Sequence, residues 1–135
     1  MLFLYLAWYL LSPLFIDKVV SEESPFVESR SVSSGSFMDA DSSHKVSGVA
    51  NVISDNENYL LRFEDFESTN GPDLKVYLSE DLDANSYVSL GVLKGNIGNQ
   101  NYEIPPGTDL NKYKYALIWC ERFSVLFGSA ELSLQ

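Results

Sequence analysis

Most of the chain alternates apolar and polar residues in short runs that are separated by turn residues. In the segment DLKVYLS, Leu74, Val76 and Leu78 alternate with polar positions, as in a strand that buries one face. About eight such runs follow Gly35, at a spacing typical of an all-β domain. We therefore predict an antiparallel β-sandwich, with a barrel as the alternative. The predicted core contains Leu61, Phe63, Leu74, Val76, Leu78 and Leu117.

The same alternation predicts the face of the sheet toward which individual side chains point. Tyr77 lies between two predicted core positions and is expected to point outward. In the run YVSLGVLKG, the side chains of Val88, Leu90 and Val92 are expected to share one face.

One hydrophobic segment precedes the β domain. The first 16 residues, MLFLYLAWYLLSPLFI, carry no charge, and a helix of that length reaches only about 24 Å of the roughly 30 Å hydrocarbon core. Extending the segment to residue 20 allows Lys18 to reach the interface with its ammonium group. Residues 1–20 are therefore predicted to be a signal peptide or a membrane anchor, and both interpretations remain open. Residues 21–34 have linker composition, and residues 35–135 form the domain, which is expected outside the cytoplasm.

The charge excludes one class of partner. The formal net charge is −10, the pI is near 4.3, and the sequence has no basic stripe. These features exclude nucleic acid as a partner, because binding its phosphate backbone needs clustered Lys and Arg. The single His and single Cys also exclude a type-one copper site and a structural zinc site within one copy of the chain.

Two weak binding hypotheses remain. His44 and Met38 could ligate a haem iron, although an exposed His at the start of a strand explains His44 more simply. Asp81 and Asp83 occupy spacings found in calcium loops, but the pattern lacks the glycine and the final glutamate of an EF-hand. A solvated acidic loop is the simpler interpretation. The sequence assigns no cofactor.

The lone cysteine is the main candidate for chemistry. Cys120 ends an apolar run, directly after Trp119 and before the charged pair Glu121 and Arg122. A single thiol is either inert packing or a redox centre. Nothing in the spacing requires Cys120 to meet His44, and no nucleophile, base and orienting group can be assembled for a hydrolase.

Several motifs follow one another in a fixed order: GSF (35–37), HKVSGVANV (44–52), NGPDLKVYLS (70–79), LGVLKGNIGNQNYEIP (90–105) and ALIWCERFSVLFGSAEL (116–132). In this order and combination they resemble the electron-transfer DM-thirteen domain family. The resemblance implies an extracellular β-sandwich-like module, a redox role centred on the cysteine, here Cys120, and frequent association with haem domains and membrane anchors. It therefore implies a redox protein or a haem domain as partner.

Two functions follow from these observations. The first is an extracytoplasmic, membrane-anchored redox or electron-transfer module centred on Cys120. The alternative is a non-catalytic adhesion or ligand-binding module at the cell surface, with Cys120 as packing. For the first, we expect the thiol to be partly shielded by Trp119 and Phe123 but reachable by a small oxidant.

Overall fold

A computed structural model describes residues 16–26 and 29–134, and this part of the chain is all-β, without helices. The strands are β1 (Arg30–Asp39), β2 (Val46–Ser54), β3 (Tyr59–Ser68), β4 (Leu74–Ser79), β5 (Tyr87–Val92), β6 (Gln100–Ile104), β7 (Tyr115–Cys120), β8 (Val125–Glu131) and β9 (Ser133–Leu134). The prediction of an all-β fold is confirmed.

The strands form one antiparallel sheet that nearly closes into a barrel. Its order is β5-β4-β7-β8-β1-β2-β3-β6, and β9 pairs with β1. The two outermost strands approach each other, and the backbone N–H of Lys94, just after β5, donates to the Tyr102 hydroxyl of β6 over 2.8 Å. Of the two predicted architectures, the structure has the barrel-like one. In the described residues, β5 and β6 do not pair with each other, so the barrel stays open along this seam.

The six predicted core residues are all buried, but one of them lies outside the barrel interior. Leu117 pairs in register with Tyr77, and both alternate with inward-facing residues, so both side chains lie on the outer face. Tyr77 points outward as expected, but only 2% of it is accessible. The ring of Tyr87, from the neighbouring strand, stacks on it.

Strand β5 departs from strict alternation. Its pairing with β4 shifts by one residue near Gly91, which has a φ of +106°. Val92 then pairs with Lys75 on the outer face and is 63% exposed, whereas Leu93 is buried. The expectation that Val92 shares the inner face with Val88 and Leu90 was therefore wrong, since a bulge reverses side-chain direction.

Antiparallel order places the loops at two ends of the barrel. Loops 40–45, 69–73, 93–99 and 121–124 meet at the end where β7 finishes with Cys120, which we call the thiol end. Loops 55–58, 80–86 and 105–114 lie at the opposite end. The motifs NGPD, LKGNIG and WCER thus come together although they are far apart in sequence.

Residues 18–23 attach to the thiol end as an N-terminal strap. The N–H of Val20 donates to the Ile97 carbonyl over 2.8 Å, and the N–H of Glu22 donates to the Asn99 carbonyl over 2.9 Å. The Glu22 carboxylate also binds Lys94 Nζ at 2.8 Å. The strap therefore covers a region that would otherwise expose unpaired backbone groups.

The folded unit begins earlier than the linker composition of residues 21–34 predicted. Residues 18–23 belong to the strap, and β1 begins at Arg30. Composition indicates solubility, but backbone pairing decides whether a segment is ordered. The predicted apolar signal or anchor lies mostly in residues 1–15, outside the described residues. From residue 16 onward, the described chain contains no helix long and apolar enough to cross a membrane.

Candidate functional site

Cys120 lies in the apolar interior at the thiol end. It is the last residue of β7, is 0% exposed, and pairs in register with Leu74 and Val125. Within the described residues, the thiol has no hydrogen-bond partner. Core side chains therefore keep the sulfur away from solvent in this conformation.

Trp119 and Phe123 occupy different positions from the thiol. Trp119 pairs with Lys75 on the outer face of β7, because successive residues of a strand point to opposite sides. Phe123 belongs to the loop after β7 and is 63% exposed. The expected partial shielding by these rings is replaced by burial of Cys120 in the barrel core.

A groove of about 470 Å³ opens at the thiol end. Its wall includes Leu74, the register neighbour of Cys120, together with Pro72 and Asn96 from two of the motif loops. The backbone after the strand is tied to the same wall, since the N–H of Glu121 donates to the Asp73 carbonyl over 3.0 Å. The motifs NGPD and WCER thus support each other at the mouth of this groove.

The motif around Gln100 closes the barrel with a buried polar network. The Gln100 side chain is 0% exposed, and its Nε2 donates to the carbonyls of Gly95 and Gly98, each at 3.0 Å. Its Oε1 accepts from the Gly95 N–H at 3.3 Å and from the Tyr102 hydroxyl. Because each polar group has a partner, the network costs little desolvation and holds the loop in one shape.

The contacts recorded for His44 do not involve the thiol. The His44 Nδ1 is 2.9 Å from the Asp41 Oδ2, and the ring centroid is 4.4 Å from that of Phe127. The hydrogen bond from His44 is the main cause that lowers the pKa of the Asp41 carboxyl. Met38 is 69% exposed. In residues 16–26 and 29–134, no hydrogen bond, ion pair or ring contact joins His44 to Met38 or Cys120. The haem hypothesis remains a prediction.

Asp81 and Asp83 lie at the opposite end, in the loop between β4 and β5. The Asp81 Oδ1 accepts from the N–H groups of Asp83 and Asn85 at 3.0 and 3.2 Å, and the bond from Asn85 is the main cause that lowers the pKa of Asp81. These bonds shape a local turn. No cluster of three or more His, Cys, Asp or Glu in the described chain could hold a metal ion.

Three aromatic side chains form a cluster on the outer face that the sequence does not predict. The rings of Tyr77 and Tyr87 stack with centroids 4.1 Å apart, and the Trp119 centroid lies 6.3 Å from that of Tyr77. The Tyr77 hydroxyl donates to Glu121 Oε2 over 3.3 Å. We call Tyr77, Tyr87 and Trp119 the outer aromatic cluster. Only the strand register brings these residues together, and sequence spacing does not encode it.

Comparison with known proteins gives one finding. The family model described as electron transfer DM13 matches residues 37–132, which include every strand from β2 to β8 and the motifs of the thiol end. No curated protein and no solved structure matches the chain. Because the match covers more than half of the sequence, the chain belongs to the electron-transfer DM13 family.

Proposed function

We propose that this domain is an electron-transfer module outside the cytoplasm, attached or exported through its N-terminal segment, with Cys120 as its redox centre. Family membership supports an electron-transfer role. The observation that carries the choice of Cys120 is its position, since this free cysteine is the register partner of Leu74, which lines a groove that the family motifs help to form.

Local opening at the end of β7 would give the thiol access to a reagent. The loop after Cys120 is exposed at residues 121–124, and Ser124 has a φ of +51°, an uncommon conformation for a residue with a side chain. Separation of this loop breaks the bond from Glu121 to Asp73 while the remaining strand pairs persist. The redox chemistry would therefore be gated by a small movement.

In the proposed cycle, a peroxide is the oxidant and a partner protein with two thiols is the reductant. The Cys120 thiolate attacks the peroxide oxygen, forms a sulfenic acid and releases hydroxide or alkoxide. A thiol of the partner then displaces water to form a mixed disulfide, and a second thiol of the partner releases Cys120 with formation of the partner's own disulfide. Two electrons pass from partner to peroxide in each cycle.

A second candidate is a non-catalytic binding module at the cell surface. The complete burial of Cys120 within the main hydrophobic core favours it, because free cysteine commonly serves as a small apolar residue. In that case Cys120 contributes stability only.

Thiol accessibility distinguishes the two candidates. The proposed redox function predicts that native protein reacts slowly with a small maleimide, fails to react with a bulky one, and forms a sulfenic acid with hydrogen peroxide that dithiothreitol reverses. Mass spectrometry of the native and urea-unfolded protein measures each step, with Cys120→Ser as the control. A native thiol that is inert to every reagent, together with a Cys120→Ser variant that is only less stable, would establish the packing role.

The location is tested separately. A membrane-impermeant biotin reagent added to intact cells is expected to label exposed lysines such as Lys112. Labelling only after cell lysis would refute placement outside the cytoplasm while leaving the thiol chemistry intact.

A further inference from the structure

The outer aromatic cluster combines features of a one-electron redox site. Stacked aromatic rings at 4.1 Å provide close contact for sharing an unpaired electron, and the Trp119 ring lies within 6.3 Å of Tyr77. Tyr87 is 46% exposed, whereas Tyr77 beneath it is 2% exposed. The cluster therefore reaches from solvent to a protected phenol.

Oxidation of a phenol requires a proton acceptor, and Tyr77 has one. Removal of one electron makes the phenolic proton strongly acidic, so a carboxylate in hydrogen-bond contact lowers the barrier. The Tyr77 hydroxyl donates to Glu121 Oε2, and Lys75 Nζ lies 4.0 Å from the same oxygen. Burial is the main cause that raises the pKa of Tyr77, so its ground state is the neutral phenol that this step needs.

The buried thiol lacks this arrangement. In the described part of the chain, Cys120 has no acceptor for a proton, so one-electron oxidation in place would strand a charge in the core. Trp119 is the chain neighbour of Cys120 and points to the outer face. The thiol and the outer aromatic cluster therefore lie on opposite faces of the sheet.

We propose that Tyr77 is a second redox centre, which exchanges single electrons with a high-potential one-electron oxidant at the outer face. This inference rests on the proposed electron-transfer function. In the step, Tyr77 gives one electron to the oxidant and its phenolic proton to the Glu121 carboxylate, which leaves a neutral tyrosyl radical, a protonated Glu121 and the reduced oxidant. A one-electron reductant reverses each transfer. Tyr87 shares the electron deficit and connects Tyr77 to solvent.

Flash photolysis tests this step in the full-length protein, with photogenerated tris(bipyridine)ruthenium(III) as the oxidant and electron paramagnetic resonance as the readout. Wild type is expected to give a long-lived tyrosyl radical that Tyr77→Phe removes. Glu121→Gln is expected to slow radical formation about tenfold and to change its solvent deuterium isotope effect. Because water reaches Glu121, this loss is smaller than the roughly hundredfold effect of a fully enclosed proton acceptor.

The matched control is Tyr113→Phe, because the Tyr113 hydroxyl contacts the Ser86 hydroxyl rather than a carboxylate. This variant is expected to behave as wild type. A long-lived signal that survives in Tyr77→Phe, or an unchanged rate in Glu121→Gln, would overturn the proposal. Glu121 is largely exposed, so its variant keeps the test valid even if Tyr77→Phe disturbs packing.

Cys120→Ser separates this inference from the thiol function. A radical that forms normally in Cys120→Ser supports Tyr77 as an independent centre, whatever the thiol does. If the wild type forms no tyrosyl radical but its thiol is still oxidised reversibly, Tyr77 is not a redox centre, and the proposed role of Cys120 is unaffected.

Discussion

Replacing Gln100 with methionine should remove much of the stability of this barrel. Methionine has nearly the same length and shape but no hydrogen-bonding groups comparable to the amide. Gln100 is fully buried, and its amide is the partner of the Gly95 N–H and of the Tyr102 hydroxyl proton. The carbonyls of Gly95 and Gly98 also lose their bonds to Nε2.

The size of the effect follows from the donors that lose their partner. An unsatisfied buried donor costs about 1–3 kcal/mol, and carbonyls are more easily satisfied by water. Two donors at about 1–2 kcal/mol each predict a loss of about 2–4 kcal/mol in the free energy of unfolding. Domains of this size have only about 5–15 kcal/mol in total, so the melting temperature should fall by roughly 10–20 °C.

Urea unfolding followed by far-ultraviolet circular dichroism measures this loss. The midpoint should fall while the slope of free energy against urea stays unchanged, since the same surface is exposed on unfolding. Asn111→Met provides the matched control, because Asn111 is exposed and its side chain makes no hydrogen bond in the described structure. A loss below about 1 kcal/mol for Gln100→Met, or one equal to that of the control, would refute the structural role of the network.

Three further predictions concern other parts of the molecule. Gly98→Ala should lower the free energy of unfolding by about 2–4 kcal/mol, because Gly98 has a φ of +111° and a Cβ there would overlap the Val20 carbonyl. Urea unfolding measures this loss, and Gly107→Ala is the control, because Gly107 also has a positive φ but a Cβ there would meet open space. Equal losses in the two variants would show that the strap contact is unimportant. Lys94 and the Asn101 N–H lower the pKa of Glu22 below its ordinary 4.5, so stability from this contact is present above that pH and is lost as the pH falls through the lower folded value. Glu22→Gln should therefore reduce the fall of the melting temperature at acidic pH. A pH profile of the melting temperature that is the same in the variant and the wild type would contradict this prediction. Removal of residues 1–23 should increase proteolysis of the barrel relative to removal of residues 1–15, and equal digestion rates would show that the strap is dispensable.

The sequence predicted the strands well because one face of each is buried. Alternation alone identified Leu74, Val76 and Leu78 as inward-facing, and all three are buried. It failed at Val92, where the bulge at Gly91 reverses the face, because the pairing partner rather than the local pattern determines a bulge. It gave the direction of Tyr77 correctly but not its burial, because another strand supplies the ring that covers it.

The candidate site was less predictable than the fold. Cys120 was recognised as the chemically distinctive residue, but its burial depends on the core around Leu74 and Val125, which lie in other strands. The outer aromatic cluster required the register between β4, β5 and β7. The Ser- and Glu-rich composition near residue 21 gave no sign of the strap, since its backbone rather than its side chains makes most of the attachment.

The strap also fixes the point at which the N-terminal chain meets the barrel. Ile16 lies in the wall of the groove, and the first strap residue, Lys18, follows two positions later. Two residues of extended chain span only about 7 Å, so Ile16 stays close to the strap. If residues 1–15 were held in a bilayer, the groove that Ile16 and Leu74 line would lie on the membrane side of the barrel. Reagents for the thiol would then arrive along the membrane plane, whereas the sides of the barrel would stay open to partners that diffuse freely.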